Sequence, residues 1–308
     1  MKRGHEKLQT LRTESRNPAA SGLDMKSSLA IARIINTEDA KVAGAVRRAL
    51  PQIAKAIDLI AAALERGGRL IYVGAGTSGR IAALDAAECP PTFNTHPRTV
   101  QFVMAGGPKA LAAAVEADED SPKLGRDDMR ERRPTKNDVV VGIAASGRTP
   151  YTVAALQYAR QRGAKTVALT SNPASPLGKV ADLVIVVQVG PEVVAGSSRM
   201  KAGTAQKMVL NMLSTGAMAR MGRIYGNLMV NVHLKNTKLV ERGIGILEKV
   251  AGVGRASAQC ALKSSGNNVP VALVMLLAKI DRRQALRSLA LTRGHVRNAV
   301  GYALKVRT

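Results

Sequence analysis

Hydroxyl side chains cluster in three glycine-rich stretches of this 308-residue chain. The stretches read GAGTSG over 74–79, AASGRTP over 144–150 and GSSRMKAGT over 196–204. Serine and threonine hydroxyls beside the N–H groups of a helix N-terminus are donors that bind a phosphate group. Each hydroxyl alone could simply cap a helix, but three such clusters favour a cradle for a monophosphate. The predicted cradle consists of Gly76, Thr77, Ser78, Ser146, Thr149, Ser197 and Ser198.

The first stretch matches the G-x-G-x-x-G pattern of dinucleotide-binding proteins, but its surroundings do not. A dinucleotide site needs an acidic residue at the end of the next strand, and that strand ends FVMAGG over 102–107. A nucleoside triphosphate loop needs Lys and then Ser or Thr, whereas Arg80 and Ile81 follow Gly79. The motif disfavours NAD and ATP. The two cysteines lack a CxxC pattern, so the sequence predicts neither a disulfide framework nor a cysteine metal site.

Glu88 stands immediately before Cys89, Pro90 and Pro91. Pro90 biases Cys89 toward extended backbone, so we expect the helix that begins near residue 79 to end there. The negative end of the helix dipole disfavours a carboxylate at that position. A carboxyl group that keeps its proton can act as a general acid, although a solvated charge at a helix end is the simpler interpretation.

A second acidic group lies in the stretch EADED over 116–120, where four carboxylates crowd together. Repulsion between neighbouring carboxylates favours keeping a proton on one of them. The stretch is therefore a second candidate for a carboxyl group with a raised pKa.

The elements that must position these residues alternate between short apolar runs and helical segments. Continuous apolar strands alternating with helices predict an α/β fold with a parallel sheet covered on both faces. Ligands bind beyond the C-terminal ends of the strands in such sheets, which is where the hydroxyl clusters fall. The predicted strands are 69–76, 99–107, 138–146, 165–172 and 182–190, and the predicted helices between them are about 79–88, 108–120 and 150–162.

The two ends of the chain differ from this central region. Residues 1–24 are polar and predict an N-terminal arm. Residues 25–66 have helical spacing that Asn36 and Thr37 interrupt, and Pro51 suits the first turn of a further helix. We expect one large domain over 25–250, ending in helix from about residue 202, and a small domain of short helices over 251–308.

Composition limits the function classes. The net charge is +24 with only 2% aromatic residues, which favours anionic ligands but argues against recognition of nucleic acid by base stacking. We expect nucleic acid to bind at most non-specifically. The N-terminus lacks an apolar signal segment, and the longest apolar stretch, Val269–Ala278, is too short to span a membrane. The sequence predicts a cytoplasmic, soluble protein.

Four motifs resemble the N-acetylmuramic acid 6-phosphate etherases, which contain a sugar isomerase (SIS) domain. They are GAGTSGR at 74–80, LDAAECPPTF at 84–93, GIAASGRTPY at 142–151 and EVVAGSSRMKAGTAQKMVLNMLSTG at 192–216. The resemblance implies a five-stranded SIS domain with a small UBA-like helical tail, a homodimer, and cleavage of the lactyl ether of a sugar phosphate without a cofactor. The products would be N-acetylglucosamine 6-phosphate and D-lactate, formed by elimination and then addition of water.

The resemblance also implies roles for individual residues. Glu88 would be the proton donor, Glu119 the second catalytic glutamate, here assigned as the base, and Lys201 a support of the sugar-phosphate site. The family's EGAED appears here as EADED, so Asp118 adds a charge beside Glu119. A sugar-phosphate isomerase and a non-catalytic sugar-phosphate-binding regulator are the alternatives, because both would share the cradle.

Overall fold

Five parallel strands form one sheet in the order β2-β1-β3-β4-β5. The computed structural model describes residues 14–113, 115–232, 234 and 236–307, so most of the predicted N-terminal arm lies outside the described residues. The strands are β1 Leu70–Gly74, β2 Val100–Met104, β3 Val139–Ile143, β4 Lys165–Thr170 and β5 Leu183–Val186. All five lie within the predicted runs, and the predicted α/β class with a parallel sheet is confirmed.

The register of the sheet brings the ends of three strands together. Gly74 at the end of β1 pairs with Met104 of β2 and with Ile143 of β3. Strands β1 and β3 are buried along their whole length, which agrees with a sheet covered on both faces. The residues that follow these strands therefore meet at one edge of the sheet.

Eleven α-helices are present in the described part of the chain. Those up to residue 220 are α1 Ser28–Glu65, α2 Gly76–Phe93, α3 Pro122–Glu131, α4 Pro150–Gln161, α5 Pro176–Lys179 and α6 Lys201–Arg220. The others are α7 Thr237–Ala251, α8 Arg255–Ser264, α9 Val269–Ala278, α10 Arg282–Leu291 and α11 Val296–Arg307. The predicted helix at 150–162 is confirmed as α4.

Helix α1 runs for 38 residues without the interruptions that the sequence predicted. Asn36, Thr37 and Pro51 all lie inside it. A proline inside a helix removes a backbone hydrogen bond and costs about 3 kcal/mol. A buried stripe that continues from Val42 to Ile60 across Pro51 offsets that cost, so the expected new helix at Pro51 was wrong.

The segment predicted as a helix over 108–120 is irregular. It contains two short 3₁₀ turns, Gly107–Leu111 and Glu116–Asp118, preceded by Gly106 with φ of 79°. The helix starts later, at α3, where the Ser121 hydroxyl accepts a hydrogen bond from the N–H of Leu124 at 3.2 Å. Serine followed by proline is a strong helix start, and this signal was missed.

The chain divides into two compact units. The first extends to Ala86 and resumes over Arg98–Ser214, and the second comprises Ala87–Pro97 with the residues from Thr215 onward. In the second unit, Val230, Ile244 and Leu247 share one apolar core with helices α8 to α11. The short C-terminal helices are therefore present as predicted, and their core begins before the predicted boundary at residue 251. No helix in the described ranges is long and apolar enough to cross a membrane.

Candidate active site

A cavity of about 350 Å³ lies where β1, β2 and β3 end, a size typical of a small-molecule site. Residues that follow directly on each of these strands line it, among them Ala75, Ala105 and Ala144. The cavity also brings together seven of the predicted site residues: Gly76, Thr77, Ser78, Glu119, Ser146, Thr149 and Ser198. It therefore occupies the edge at which parallel sheets bind ligands.

The first turn carries β1 directly into α2. Gly76 has a φ of 52° and begins the helix, so the first N–H groups of α2 lie in the cavity wall without partners inside the helix. Gly79 allows α2 to lie close to β2, since a Cβ there would be 2.6 Å from Cγ of Met104. Ser78 is buried. Gly76 and Gly79 thus allow the backbone to pack closely on either side of the Thr77 and Ser78 hydroxyl groups.

The second turn is held by the neighbouring strand. Thr170 is the last residue of β4, and its hydroxyl donates a hydrogen bond to the carbonyl of Ala145 at 3.3 Å. Asn172, two residues further, donates to the same carbonyl from its side-chain amide at 3.3 Å. Ser146 Oγ accepts a hydrogen bond from the N–H of Arg148 at 3.2 Å. Thr149 occupies the N-cap position of α4, but its side chain makes no capping hydrogen bond to the described backbone. Its hydroxyl therefore remains available to a ligand.

The third turn precedes α6, and Glu192 caps that helix instead of a serine. The buried Glu192 carboxylate accepts hydrogen bonds from the N–H groups of Lys201 and Ala202, both at 2.9 Å. Ser198 lines the cavity, whereas Ser197 is not among the lining residues. Capping by a serine, the simpler interpretation of this cluster, was therefore wrong.

Lys201 lies in the protein interior and is not among the residues that line the cavity. Its side chain is 1% exposed, and Nζ forms an ion pair with Oε2 of Glu38 at 2.6 Å. Burial raises the pKa of Glu38, but hydrogen bonds from Lys201, Lys41 and Asn17 outweigh burial and lower the pKa to about 2. This pair connects α1 to the first residue of α6, directly after the turn that carries Ser198.

Glu119 is half-buried, and its carboxylate lies against the first residue of α2. A Cβ on Gly76 would be only 2.8 Å from Oε1 of Glu119. Burial raises the pKa of Glu119, and the negative charges of Glu116 and Asp120 raise it further, while Arg80 opposes them. The raised pKa expected from the acidic stretch is confirmed at Glu119.

The backbone of Glu119 is also fixed. Its carbonyl accepts a hydrogen bond from the N–H of Tyr151, in the first turn of α4, at 3.1 Å. The Tyr151 hydroxyl donates to Asp128 of α3 at 2.5 Å. The first turn of α4 thus holds the segment that carries Glu119, and the Tyr151 side chain links α4 to α3.

Glu88 is exposed on α2, and the cavity lining described above does not include it. It lies roughly three turns beyond Gly76, where α2 begins. The predicted end of this helix at Cys89 was wrong, because α2 continues through Pro90 and Pro91 to Phe93. Cys89 and Phe93 are buried one turn apart, and this packing supports the last turn. The dipole argument for Glu88 consequently loses its basis.

Three lining residues with charged side chains were not assigned to the site from the sequence: Glu14, Arg80 and Glu116. The Arg80 guanidinium donates to the carbonyls of Leu111 and Ala113 at 3.3 and 2.8 Å. It thereby fixes the irregular segment before Glu119. The signal for Arg80 was the repeated Ser-Gly-Arg sequence, at 78–80 and 146–148.

Comparison with known proteins gives matches along almost the whole chain. Residues 52–160 match the glucokinase regulatory protein N-terminal SIS domain, and residues 128–216 match the SIS domain. The N-acetylmuramic acid 6-phosphate etherase of Edwardsiella ictaluri (strain 93-146) is 53% identical over 293 residues, covering 95% of this chain and 98% of that protein. The corresponding etherase of Clostridium beijerinckii is 48% identical and covers 95% of this chain and 96% of that protein.

A third relative is the N-acetylmuramic acid 6-phosphate etherase 2 of Vibrio parahaemolyticus serotype O3:K6, which is 51% identical over 95% of this chain and 98% of that protein. Among solved structures, a phosphoheptose isomerase from Francisella tularensis is 19% identical, with a TM-score of 0.48 over 62% of this chain and 98% of that chain. The identity to the curated relatives extends over nearly the full length of both chains. This chain belongs to the N-acetylmuramic acid 6-phosphate etherase family.

Proposed function

We propose that this protein is a lyase that cleaves the D-lactyl ether of N-acetylmuramic acid 6-phosphate, in the breakdown and recycling of cell-wall amino sugars. The observation that carries the proposal is a cavity in which hydroxyl-bearing turns face a half-buried glutamate with a raised pKa. The turns suit a phosphate, and the glutamate suits a proton transfer. Family membership then specifies which sugar phosphate is the substrate.

The phosphate group is assigned to the hydroxyl-bearing turns. Ser78, Ser146, Thr149 and Ser198 line the cavity from three turns. The first N–H groups of α2 add donors that a helix N-terminus leaves unpaired.

The chemistry is assigned to Glu119. In the open-chain sugar, the hydrogen on C2 lies next to an aldehyde and is therefore acidic. The Glu119 carboxylate removes this proton, the bond between C3 and the ether oxygen breaks, and D-lactate leaves with that oxygen after gaining a proton. Water then adds to the resulting double bond, with its hydroxyl on C3 and a proton on C2. A raised pKa makes the Glu119 carboxylate a stronger base, which helps it to accept this proton.

Glu88 remains the proposed proton donor for the departing lactate. It is exposed and absent from the cavity lining of its own chain. We propose that Glu88 acts at the cavity of a second copy of the chain, in the homodimer that the family resemblance implies. Closed twofold dimers are the commonest assembly of soluble proteins.

Mixing two inactive variants tests this part of the proposal. If each site combines Glu119 of one copy with Glu88 of the other, a refolded mixture of Glu88→Gln and Glu119→Gln should regain roughly a quarter of wild-type activity, by random pairing into twofold dimers. Two inactive variants that stay inactive after mixing would place both glutamates in one copy or remove Glu88 from the mechanism.

The alternatives have weaker support. A non-catalytic regulator would share the SIS domain, and residues 52–160 match one from such a protein. An isomerase would share proton removal from C2. Neither alternative is supported by the identity of about 50% to named etherases over nearly the whole chain. The net charge of +24 is proposed to attract anionic substrates. Because the proposed substrate is a phosphorylated sugar, we also propose that the protein is located in the cytoplasm.

The test is direct. The protein is incubated with N-acetylmuramic acid 6-phosphate, and D-lactate and N-acetylglucosamine 6-phosphate are measured. Equal amounts of both products support the etherase. An isomerised sugar phosphate without lactate would support the isomerase, and binding without turnover would support the regulator.

A further inference from the structure

Glu14 brings a third carboxylate side chain to the cavity, from the segment that precedes α1. It lines the cavity together with Thr77 and Ser198. Its carboxylate lies against the loop before α6, since a Cβ on Gly196 would be 3.0 Å from Oε2 of Glu14. Gly196 has a φ of 78°, a backbone conformation that disfavours any side chain. The loop therefore keeps room at this position for the Glu14 carboxylate.

The segment that carries Glu14 is attached to the same loop at a second point. The Asn17 side chain donates to the carbonyl of Pro191 at 3.2 Å. A further side-chain hydrogen bond of Asn17 helps to lower the pKa of Glu38, together with the hydrogen bonds from Lys41 and the buried Lys201. The segment that carries Glu14 thus contacts the loop before Ser198 at two points, Pro191 and Gly196. These contacts hold the Glu14 side chain at the cavity.

The chemistry of a carboxylate limits what Glu14 can bind. An ionised carboxylate only accepts hydrogen bonds, and its charge repels a phosphate group and a lactyl carboxylate. Its ligand must therefore be an O–H or N–H donor. An N-acetylated sugar phosphate offers both kinds of donor, on its hydroxyl groups and on its acetamido nitrogen.

We propose that Glu14 is a specificity-determining residue that accepts a hydrogen bond from an O–H or N–H group of the sugar. The proposal rests on the proposed function, because that function places a sugar phosphate in this cavity. Glu14 and the hydroxyl-bearing turns then bind different parts of one ligand. The turns bind the phosphate, and Glu14 binds the sugar.

Calorimetric titration of the full chain tests this division, with inorganic phosphate, N-acetylglucosamine 6-phosphate and glucose 6-phosphate as probes. For Glu14→Ala we expect the affinity for N-acetylglucosamine 6-phosphate to fall roughly 10- to 100-fold, as for a lost hydrogen bond to a charged group. The affinity for inorganic phosphate should not change. Asp24→Asn is the matched control, because it removes an exposed charge from the same segment outside the cavity lining.

The two sugars identify the donor. Equal losses of affinity for both sugar phosphates assign a hydroxyl group, and a loss confined to the acetylated sugar assigns the acetamido N–H. Unchanged affinity of Glu14→Ala for both sugars would overturn the proposal. An equal loss of affinity for inorganic phosphate would also overturn it, because Glu14 would then only support the loop at 191–198.

D-Lactate release by the wild type separates this proposal from the proposed function. A wild type that releases lactate, beside a Glu14→Ala variant with unchanged sugar affinity, overturns only the role of Glu14. A wild type that binds the sugar phosphates through Glu14 but releases no lactate overturns only the etherase.

Discussion

The carboxylate of Glu119 and the α-carbon of Gly76 are so close that a Cβ on Gly76 would be 2.8 Å from Oε1 of the glutamate. Gly76 also has a φ of 52°, which L-residues with a side chain seldom adopt. The first residue of α2 thereby sets the position of the proposed base. The hydroxyls of Thr77 and Ser78 follow directly in the same turn.

Gly76→Ala should reduce kcat for lactate release roughly 10- to 100-fold, because it displaces the reacting carboxylate. The strain at a positive φ should lower the free energy of unfolding by only about 1 kcal/mol. Gly107→Ala is the control, since Gly107 has a φ of 60° and its Cβ would meet nothing within 4 Å. Equal activity of the two variants would show that lactate release does not depend on the close contact between Gly76 and the Glu119 carboxylate.

Ser198→Ala should weaken binding of inorganic phosphate by about 1–3 kcal/mol, the usual loss for a charge-assisted hydrogen bond. Ser197→Ala should leave it unchanged, because Ser197 is not among the residues that line the cavity. Calorimetry on both variants compares two adjacent serines of one turn. A larger loss for Ser197→Ala would contradict the assignment of the phosphate to the Ser198 hydroxyl.

Lys201→Met should lower the free energy of unfolding by about 3–5 kcal/mol, because it removes a partner of the buried Glu38 carboxylate. Lys41→Met should cost less than about 1 kcal/mol, since the Lys41 side chain is 58% exposed. Urea denaturation near neutral pH measures both variants. Losses of equal size would mean that the buried pair does not stabilise the fold.

The pH dependence of stability has a definite sign for this pair. The pKa of Glu38 falls from 4.5 to about 2 in the folded protein, so the unfolded state binds the proton more tightly. The stabilisation is present above pH 4.5 and is lost as the pH falls toward 2. The stability gap between wild type and Glu38→Gln should therefore narrow over this range.

Glu116→Gln should move the acidic limb of the pH profile of kcat/KM to lower pH. A base works in its deprotonated form, so this limb reports the pKa of Glu119, which the Glu116 charge raises. Asp127→Asn is the control, because Asp127 pairs with Arg130 and does not perturb Glu119. An unmoved limb in Glu116→Gln would assign the titration to another group.

The sequence was sufficient for the sheet and for most of the cradle because these features are local. Apolar runs mark the buried strands, and the glycine and hydroxyl residues of each turn follow their strand directly. The resemblance added Glu119, which neither spacing nor charge could place inside the cavity.

Features that depend on distant contacts were missed or mispredicted. Lys201 meets Glu38 across 163 positions of the chain, and Glu14 reaches the cavity by packing against Gly196. The local preferences of proline predicted that helices begin or end at Pro51 and Pro90. Helices α1 and α2 instead continue through these prolines, because buried side chains on both sides of each proline pack against the rest of the protein. Tertiary packing outweighed local preference at these positions.

The central claim is that Glu119 drives an elimination followed by addition of water. Its most direct test is turnover of N-acetylmuramic acid 6-phosphate in ¹⁸O-labelled water, followed by mass spectrometry of both products for the wild type and Glu119→Gln. We predict that the wild type places ¹⁸O on the sugar and none in D-lactate, because the bond that breaks joins C3 to the ether oxygen, and that Glu119→Gln forms little of either product. Label in D-lactate, or undiminished turnover by Glu119→Gln, would contradict the account.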